Sequence, residues 1–344
     1  MFTSRFVSVL ALVLASSTLL PTGEAAEKVI RIGIIGLDTS HVVAFTSAIN
    51  KAKPESPLAG LKVVAAFPGG SSDVEASYGR IEGFTTKLRE SGVEIVDSID
   101  ALLPKVDAVL LESVDGRPHL EQAKPLFAAN AKSQTKKPLF IDKPITASLA
   151  DALEIFRLAE ESGTPCFSSS SLRYYPGIAA VRSEAAPFGD VVGCVAYGPC
   201  SLEEHHPDLF WYGIHGVEIL YTIMGPGCQS VTCTATADTH VVTGVWKDGR
   251  VATFRGIRSG KGGYGAMVFG TKATGPTESL GGGYEGLLFK IADFFRTGTP
   301  PIAAGETLEL VTFMQAADES KKQGGKSVLM SDVLQQARKQ TTKK

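Results

Sequence analysis

The stretch "RIGIIGLDTSHVVAF" occupies residues 31–45 and combines an apolar strand, a glycine turn and the start of a helix. A Rossmann fingerprint has Gly-x-Gly-x-x-Gly across such a turn, with a phosphate at the N terminus of the helix. Here Gly36 supplies the first glycine, but Asp38 and His41 stand at the second and third positions. The stretch predicts either a nucleotide site built in another way or a plain capped helix without a ligand.

Short apolar strands alternate with helical segments over residues 29–145. The predicted strands are "VIRIGII", "LKVVAAF", "VEIVDS", "VDAVLLES" and "KPLFID", and "PHLEQAKPLFAANA" is a predicted helix. Strands that are apolar on both faces and alternate with helices indicate a parallel sheet covered on both sides. A further helix follows, with Ser148 and Asp151 at capping-box spacing and Gly163 at its end.

The second half of the chain has a different pattern. From about Gly189 it contains the strand-like segments "DVVGCVAYG", "QSVTCTATA", "THVVTGVW", "GRVATFRGI" and "GAMVFGT", and "WKDGR" predicts a hairpin. Helices are predicted near 213–224, 284–296 and 305–323. The predicted fold class is α/β: a Rossmann-type parallel sheet domain (27–147), then an α+β domain with a largely antiparallel sheet (148–330). Residues 331–344 are predicted to be a C-terminal tail, in which "ARKQTTKK" (337–344) is a solvated, frayed end.

The first 25 residues resemble a secretory signal peptide. Arg5 precedes an apolar run from Phe6 to Leu20, and the small residues Gly23 and Ala25 favour cleavage before Ala26. The run is shorter than the roughly 20 residues that span a bilayer, although an uncleaved anchor is the alternative. We therefore expect an exported protein, periplasmic or secreted, with no membrane span after cleavage.

Composition restricts the classes of partner. The 344 residues are 44% hydrophobic and 20% charged, with a net charge of −2, so nucleic acid is not an expected partner. The cysteines form no C-x-x-C pair and no zinc spacing, and we expect them to be core residues, with their disulfide state left open. They are Cys166, Cys194, Cys200, Cys228 and Cys233.

Several short motifs, in order, resemble those of the Gfo/Idh/MocA oxidoreductases, the family of glucose–fructose oxidoreductase and inositol dehydrogenase. "IDKP" (141–144) is similar to the Glu-Lys-Pro signature, with Asp142 replacing Glu. "SLRYYPG" (171–177) resembles the start of the second domain, and "YGIHGVE" (212–218) resembles the family's Gly-x-His-x-x-Asp helix. His119 matches a histidine after the fourth strand. The resemblance implies a small carbohydrate-like substrate and a possible homo-oligomer.

The sequence also departs from the family pattern. Trp211 stands where an Asp often precedes the catalytic His, and "FPGGSSD" after the second strand holds no acid before Asp73. His205, His206 and Asp208 are candidates to replace the missing Asp. Adjacent histidines are a weak metal signal, so no metal site is predicted.

The predicted catalytic residues are Lys143, His215 and Glu218. Lys143 follows a central strand, where open α/β sheets bind ligands, and its ammonium can lower the pKa of a substrate hydroxyl. His215 can accept the hydroxyl proton, and Glu218, three residues later, can orient the ring. The alternatives are a surface lysine and a structural histidine.

The remaining predicted contacts concern cofactor and substrate. The predicted cofactor is NAD or NADP, which an exported enzyme would need to hold tightly, and its predicted contacts are Gly36, Asp38, Thr39, Ser40, His41 and Lys143. A capping Asp38 would compete with phosphate, whereas the Thr39 and Ser40 hydroxyls could replace missing contacts. The predicted substrate contacts are Arg173, Tyr174, Trp211 and Tyr212, and Trp211 and Tyr212 could equally be core or interface aromatics.

Three functions are compatible with this sequence. The first is an NAD(P)-dependent oxidoreductase acting on a sugar or polyol-like alcohol. The second is a non-catalytic ligand-binding protein on the same fold. The third is a lyase, epimerase or glycosidase that recycles a tightly bound NAD. A dinucleotide retained by the purified protein would exclude the ligand-binding function. Net consumption of added cofactor would then distinguish the oxidoreductase from the enzyme that recycles its NAD.

Overall fold

A computed structural model describes residues 1, 29–183, 187–277 and 281–341, which form two sheets with helices packed against them. The predicted signal peptide, apart from Met1, lies outside the described residues. Within the described ranges, no helix has both the length and the apolar character needed to cross a bilayer.

The first sheet is the predicted parallel sheet. Its strands are β1 (Ile30–Ile35), β2 (Leu61–Phe67), β3 (Glu94–Ile95), β4 (Ala108–Leu111), β5 (Leu139–Ile141) and β6 (Cys166–Ser168). Their order is β3-β2-β1-β4-β5-β6, which is the order of the dinucleotide-binding doubly wound fold. The sixth strand comes from beyond the predicted boundary at residues 147 and 148, so the first sheet continues to Ser168.

Helices connect these strands: α1 (Ser40–Asn50), α2 (Glu75–Tyr78), α3 (Ile81–Glu90), α4 (Ile99–Leu102), α5 (His119–Lys132) and α6 (Leu149–Ser162). The predicted caps of α6 are present, because the Ser148 hydroxyl accepts a hydrogen bond from the Asp151 N–H and Gly163 is left-handed at φ 66°. These caps satisfy backbone groups that the helix leaves unpaired, and so they fix where it begins and ends.

The second sheet has seven strands: β7 (Val191–Pro199), β8 (Cys228–Ala235), β9 (Thr239–Trp246), β10 (Val251–Ile257), β11 (Gly265–Gly270), β12 (Thr274–Pro276) and β13 (Val328–Leu329). Their order is β12-β11-β7-β10-β9-β8-β13, and among these described strands β7 and β10 form the only parallel pair. The hairpin predicted at "WKDGR" joins β9 to β10. The remaining helices are α7 (Pro176–Ala179), α8 (Ile214–Met224), α9 (Glu285–Thr297), α10 (Ala304–Lys322) and α11 (Met330–Thr341).

Two helices differ from the predicted domain plan. Helix α9 packs on the first sheet, where Leu287 and Phe294 share a buried cluster with Ile32 and Ile34 of β1. The predicted C-terminal tail is wrong as far as residue 341, because α11 buries Val333 and, within the predicted frayed end, Ala337. An apolar residue every third or fourth position gives this C-terminal helix a face that packs against the core.

The five cysteines are core residues, as predicted. All of them are buried and free. Burial raises the pKa of the Cys166 and Cys194 thiols to about 12, which keeps both protonated and unreactive.

Candidate functional site

A cleft of about 620 Å³ lies where the carboxyl ends of β1, β4 and β5 face the second sheet domain. This is the position at which open α/β sheets bind ligands. Residues from both halves of the chain line it: Thr39, Ser40, His41, Ala76, Arg80, Val114, Lys143, Ser171, Leu172, Tyr175, Ser201, Trp211, Tyr212, His215, Tyr264, Gly282, Gly283 and Tyr284.

The turn before α1 keeps only part of the glycine pattern. Gly36 has a φ of 88°, and a Cβ placed on it would lie 2.3 Å from the Ser113 hydroxyl oxygen. Gly36 is therefore required by the close approach of the chain after β4. Thr39 is the N-cap of α1, and its hydroxyl accepts a hydrogen bond from the His41 N–H.

Asp38 lies at the second glycine position but does not cap α1. Its buried carboxylate accepts hydrogen bonds from the Val114 N–H at 2.9 Å and the Ser77 hydroxyl at 2.7 Å. A capping Asp38 was expected to compete with phosphate for the N–H groups of the first turn. With its carboxylate bound to Val114 and Ser77, it does not do so. Asp38 thus connects the turn to the loop after β4 and to α2.

His41, Glu112 and Asp142 form a buried cluster beside the cleft, which His41 lines. The His41 Nδ1 lies 2.8 Å from Asp142 Oδ2 and 3.8 Å from Glu112 Oε2. The imidazole stacks on Phe45 with 5.2 Å between ring centroids, and the edge of Tyr284 lies at 4.7 Å. These contacts fix the orientation of the ring.

The two carboxyl groups of this cluster have opposite pKa shifts. Burial, together with the Asp142 charge, raises the pKa of Glu112 well above its usual range. Burial alone would also raise the pKa of Asp142. The charges of His41 and Lys143 and the hydrogen bond to His41 outweigh burial and hold the pKa of Asp142 at about 2. The cluster thus contains one ionised carboxylate beside one that resists ionisation.

His215 is oriented by Ser170, and this corrects the role predicted for Glu218. The His215 Nδ1 lies 2.7 Å from the Ser170 hydroxyl oxygen. Glu218 instead accepts hydrogen bonds from the Ser170 N–H and from Arg173 Nε. Glu218 therefore acts on the imidazole only through the backbone that carries Ser170.

The surroundings of His215 keep its ring neutral. Burial, and then the positive charge of Lys143, lower the pKa of His215 well below its ordinary value of 6.5. The edges of Tyr212 and Tyr264 lie against the ring, at centroid distances of 5.2 and 5.9 Å. A neutral imidazole is the form that can accept a proton.

Arg173 and Tyr174, predicted to bind substrate, do not line the cleft. The Arg173 guanidinium is bound to the carboxylates of Glu218 and Glu306. Tyr174 packs against Gly286 at the start of α9. The neighbouring Tyr175 faces the cleft instead, because the tight turn over residues 171–174 rotates successive side chains to different sides.

Trp211 and Tyr212 both line the cleft, in a wide helical turn (Leu209–Gly213) that precedes α8. The histidines just upstream contact other groups: His206 Nε2 lies 2.9 Å from Asp115, and His205 Nδ1 lies 2.7 Å from Glu203. Asp208 is bound to His240 and Lys321. None of these contacts places His205, His206 or Asp208 beside His215 as a substitute for the missing Asp.

His119 is a structural residue. It is fully buried at the start of α5, and its ring nitrogens lie 2.8 Å from the Ser113 carbonyl oxygen and 3.0 Å from that of Ile145. The ring therefore connects the chain after β4 to the chain after β5, both of which border the cleft. Burial lowers the pKa of His119, although the two carbonyl contacts act in the opposite direction.

Comparison with known proteins agrees with this architecture. Residues 30–170 match the model of the Gfo/Idh/MocA oxidoreductase family, described as an NAD-binding Rossmann fold. The matched residues contain all six strands of the first sheet. The sequences of curated proteins yield no match.

Solved structures with the same fold cover most of the chain. GenD2 from gentamicin A biosynthesis, in complex with NAD, is 16% identical, with a TM-score of 0.69 over 91% of this chain and 99% of that one. Myo-inositol dehydrogenase from Lactobacillus casei, in complex with NAD(H) and myo-inositol, is 17% identical, with a TM-score of 0.66 over 88% and 96%. Scyllo-inositol dehydrogenase from the same organism is 16% identical, with a TM-score of 0.69 over 89% and 99%.

The N terminus of α1 fits a dinucleotide pyrophosphate. Thr39 and Ser40 line the cleft at the first turn, where backbone N–H groups and the helix dipole favour an anion. Because Asp38 is turned towards Val114 and Ser77, its carboxylate does not occupy this position. The first carboxylate after β2 in the sequence is that of Asp73. Its Oδ1 atom lies 2.8 Å from Nη2 of Arg117.

Sequence reasoning missed Glu112, Ser170, Tyr264 and Tyr284 as residues of the site, and it used Asp142 only as a motif match. The sequence did contain a signal for Glu112. Glu112 and Asp142 each directly follow an apolar strand, and His41 lies in the first turn of the helix after β1. In a parallel sheet the carboxyl ends of neighbouring strands meet at one edge. Ser170 and the tyrosines gave no comparable signal.

Proposed function

We propose that this protein is an exported NAD(P)-dependent oxidoreductase that acts on a sugar-like or polyol-like alcohol. One observation carries the proposal: Lys143, His215 and the N terminus of α1 line the same cleft. A nicotinamide cofactor with its pyrophosphate on α1 would have its ring near Lys143, and a substrate resting on Trp211 and Tyr212 would face it.

The bound dinucleotide supplies hydride transfer, and this chain supplies position and proton transfer. The ammonium of Lys143 donates a hydrogen bond to the substrate hydroxyl and favours its ionised form. The neutral imidazole of His215 accepts the hydroxyl proton through Nε2, because Nδ1 is engaged by Ser170. The low pKa of His215 keeps this acceptor available at neutral pH.

The first test is whether the protein carries its cofactor. Purified full-length protein is denatured, and the released small molecules are analysed by mass spectrometry. We expect NAD or NADP at close to one equivalent per chain. If none is released and calorimetry detects no binding at millimolar dinucleotide, the ligand-binding function replaces this one.

The second test concerns the catalytic pair. Lys143→Ala and His215→Ala should each lower turnover of an alcohol found in a polyol panel by about 10²- to 10⁴-fold, the usual contribution of a positioned acid–base group. The double variant should lose less than the product of the two, since groups that act as a unit are non-additive. Full activity in either single variant would remove that residue from the mechanism.

Export is proposed from the sequence of the first 25 residues. We expect the mature chain to begin between about residues 23 and 27, which N-terminal sequencing of the exported protein measures. An intact Met1 on exported protein would contradict cleavage.

A homo-oligomer is proposed from the outer face of the second sheet. Tyr197, Val245, Met267 and Phe269 expose apolar side chains there, and apolar patches of this kind commonly mark interfaces. Light scattering after size-exclusion chromatography should give a mass above that of one chain. Phe269→Lys should reduce this mass.

A further inference from the structure

The His41–Glu112–Asp142 cluster joins three elements at one edge of the first sheet. His41 lies in the first turn of α1, Glu112 directly follows β4, and Asp142 directly follows β5. Strands β1, β4 and β5 are neighbours in the sheet, so their carboxyl ends converge on one point. One imidazole and two carboxylates offer the nitrogen and oxygen ligands that first-row divalent cations bind.

The spacing of the three groups fits a common ion. One ligand atom from each residue lies within 4.8 Å of the others. Ligands about 2.0 to 2.2 Å from a tetrahedral metal are about 3.4 Å apart, and the measured separations of 2.8 and 3.8 Å from His41 Nδ1 lie on either side of that value. Side-chain adjustments of a few tenths of an ångström would complete the site.

The carboxylate oxygens provide an independent observation. Glu112 is fully buried, and neither Oε1 nor Oε2 has a hydrogen-bond partner within the described part of the chain. Asp142 Oδ1 is also buried without a partner there. Burying a carboxyl oxygen without a partner is costly, and two adjacent carboxylates add repulsion. A divalent cation would satisfy both groups at once.

We propose that His41, Glu112 and Asp142 bind a divalent transition-metal cation of the Mn²⁺ or Zn²⁺ class beside the cleft. Three protein ligands leave at least one coordination position open. His41 itself lines the cleft beside Lys143, so the open position would face a substrate oxygen there. A substrate with two neighbouring oxygens, such as a vicinal diol or a hydroxy acid, would suit such an ion. The site itself does not depend on the dinucleotide.

The test measures metal binding by the full-length protein after treatment with a chelator. Isothermal titration with Mn²⁺ and with Zn²⁺ should show one equivalent of saturable binding for at least one of them, and Mg²⁺ should bind more weakly. Glu112→Gln keeps the shape of the side chain and removes its charge, and it should weaken binding by at least about 100-fold, since loss of even an outer-shell partner costs 10- to 100-fold. His41→Phe should have a similar effect.

The control is another imidazole–carboxylate pair on the same molecule. His205 and Glu203 are 2.7 Å apart outside the cluster, and His205→Ala should leave the affinity unchanged. Circular dichroism verifies that each variant is folded, and metal should raise the Tm of the wild type but not that of Glu112→Gln. For Mn²⁺, nitrogen hyperfine coupling in electron paramagnetic resonance should be lost in His41→Phe.

Two results would overturn the proposal. One is no saturable binding of either cation up to about 1 mM, which would exclude a Kd well below that concentration. The other is binding that persists in Glu112→Gln or disappears in His205→Ala. Neither result bears on the dinucleotide, whose release is measured separately by mass spectrometry.

Discussion

The Nδ1 atom of His215 lies 2.7 Å from the hydroxyl oxygen of Ser170, two residues beyond the last strand of the first sheet. A residue that follows the first sheet therefore orients a ring carried by α8. The Ser170 N–H donates to Glu218, which also binds Arg173, so the orientation of the imidazole depends on a buried polar network.

Removing the Ser170 hydroxyl should impair turnover more than substrate binding. Ser170→Ala should lower kcat by up to about 10-fold, in line with one neutral hydrogen bond of 0.5 to 1.5 kcal/mol, and leave KM nearly unchanged. Ser170→Thr retains the hydroxyl and should restore most of the activity. Steady-state kinetics on the alcohol substrate measure both constants. Equal losses in the Ala and Thr variants would indicate a packing role instead.

Substitution of Gly36 should destabilise the fold rather than remove cofactor binding alone. A Cβ at Gly36 would lie 2.5 Å from the Ser113 backbone nitrogen, and the φ of 88° adds strain. Gly249 is the matched control, since its φ is 86° and nothing lies within 4 Å of an added Cβ. Gly36→Ala should lower the free energy of unfolding by about 1 to 3 kcal/mol more than Gly249→Ala, the usual cost of overpacking.

Urea denaturation of both glycine variants measures this difference. Equal effects would mean that the backbone conformation alone matters and that the chain after β4 can move away. Cofactor binding at the turn is then better tested with Thr39→Ala, which retains the backbone.

Arg173 should be needed for stability rather than for substrate affinity. Arg173→Met leaves the buried Glu218 and the partly buried Glu306 without their cation. Removing one partner of a buried ion pair costs about 3 to 5 kcal/mol. Arg157 is the control, because it pairs with Glu154 and Glu161 at the surface, and Arg157→Met should cost less than about 1 kcal/mol.

Chemical denaturation compares the two arginine variants, and the affinity for substrate is measured on the folded fraction. A stable Arg173→Met protein that has lost substrate affinity would restore the role predicted from the sequence. The structure favours loss of stability with unchanged substrate affinity, because the Arg173 guanidinium faces the carboxylates of Glu218 and Glu306 and not the cleft.

The local features of this fold follow from the sequence, and the long-range ones do not. Strand β4 and residues 32–35 of β1 are apolar because both faces of the sheet are covered, and the caps of α6 use residues adjacent to the helix. Helix α9 covers the first sheet from some 250 positions away in the chain, and no local pattern encodes that contact. Periodicity gives the apolar face of a helix but not its partner.

In the candidate site, too, the residues within short motifs could be predicted from the sequence, and the long-range contacts could not. Lys143 and His215 were found because short motifs surround them, and both line the cleft. Arg173 was misassigned because neither its partner Glu218 nor its partner Glu306 can be recognised from spacing. Glu112 was missed because a single carboxylate after a strand is common, and its meaning depends on the neighbouring Asp142.

Asp318 should make the protein less stable as the pH rises. Burial, together with the Asp208 carboxylate, raises the pKa of Asp318 in the folded protein to about 7, from an ordinary value of 3.8. Between these values the native state binds a proton that the unfolded chain has released, so stability falls as pH increases through this window. Below the window both states are protonated, and above it the cost of the buried charge is complete.

Asp318→Asn should remove this dependence. We expect its Tm to be close to that of the wild type near pH 4 and clearly higher at pH 8, because the amide has no proton to lose. Asp293→Asn is the control, since the Asp293 carboxylate is exposed on α9, and it should shift Tm little at either pH. Thermal unfolding followed by circular dichroism across this range measures the effect. A Tm difference between Asp318→Asn and the wild type that is the same at every pH would show that the carboxyl group does not titrate between the two states.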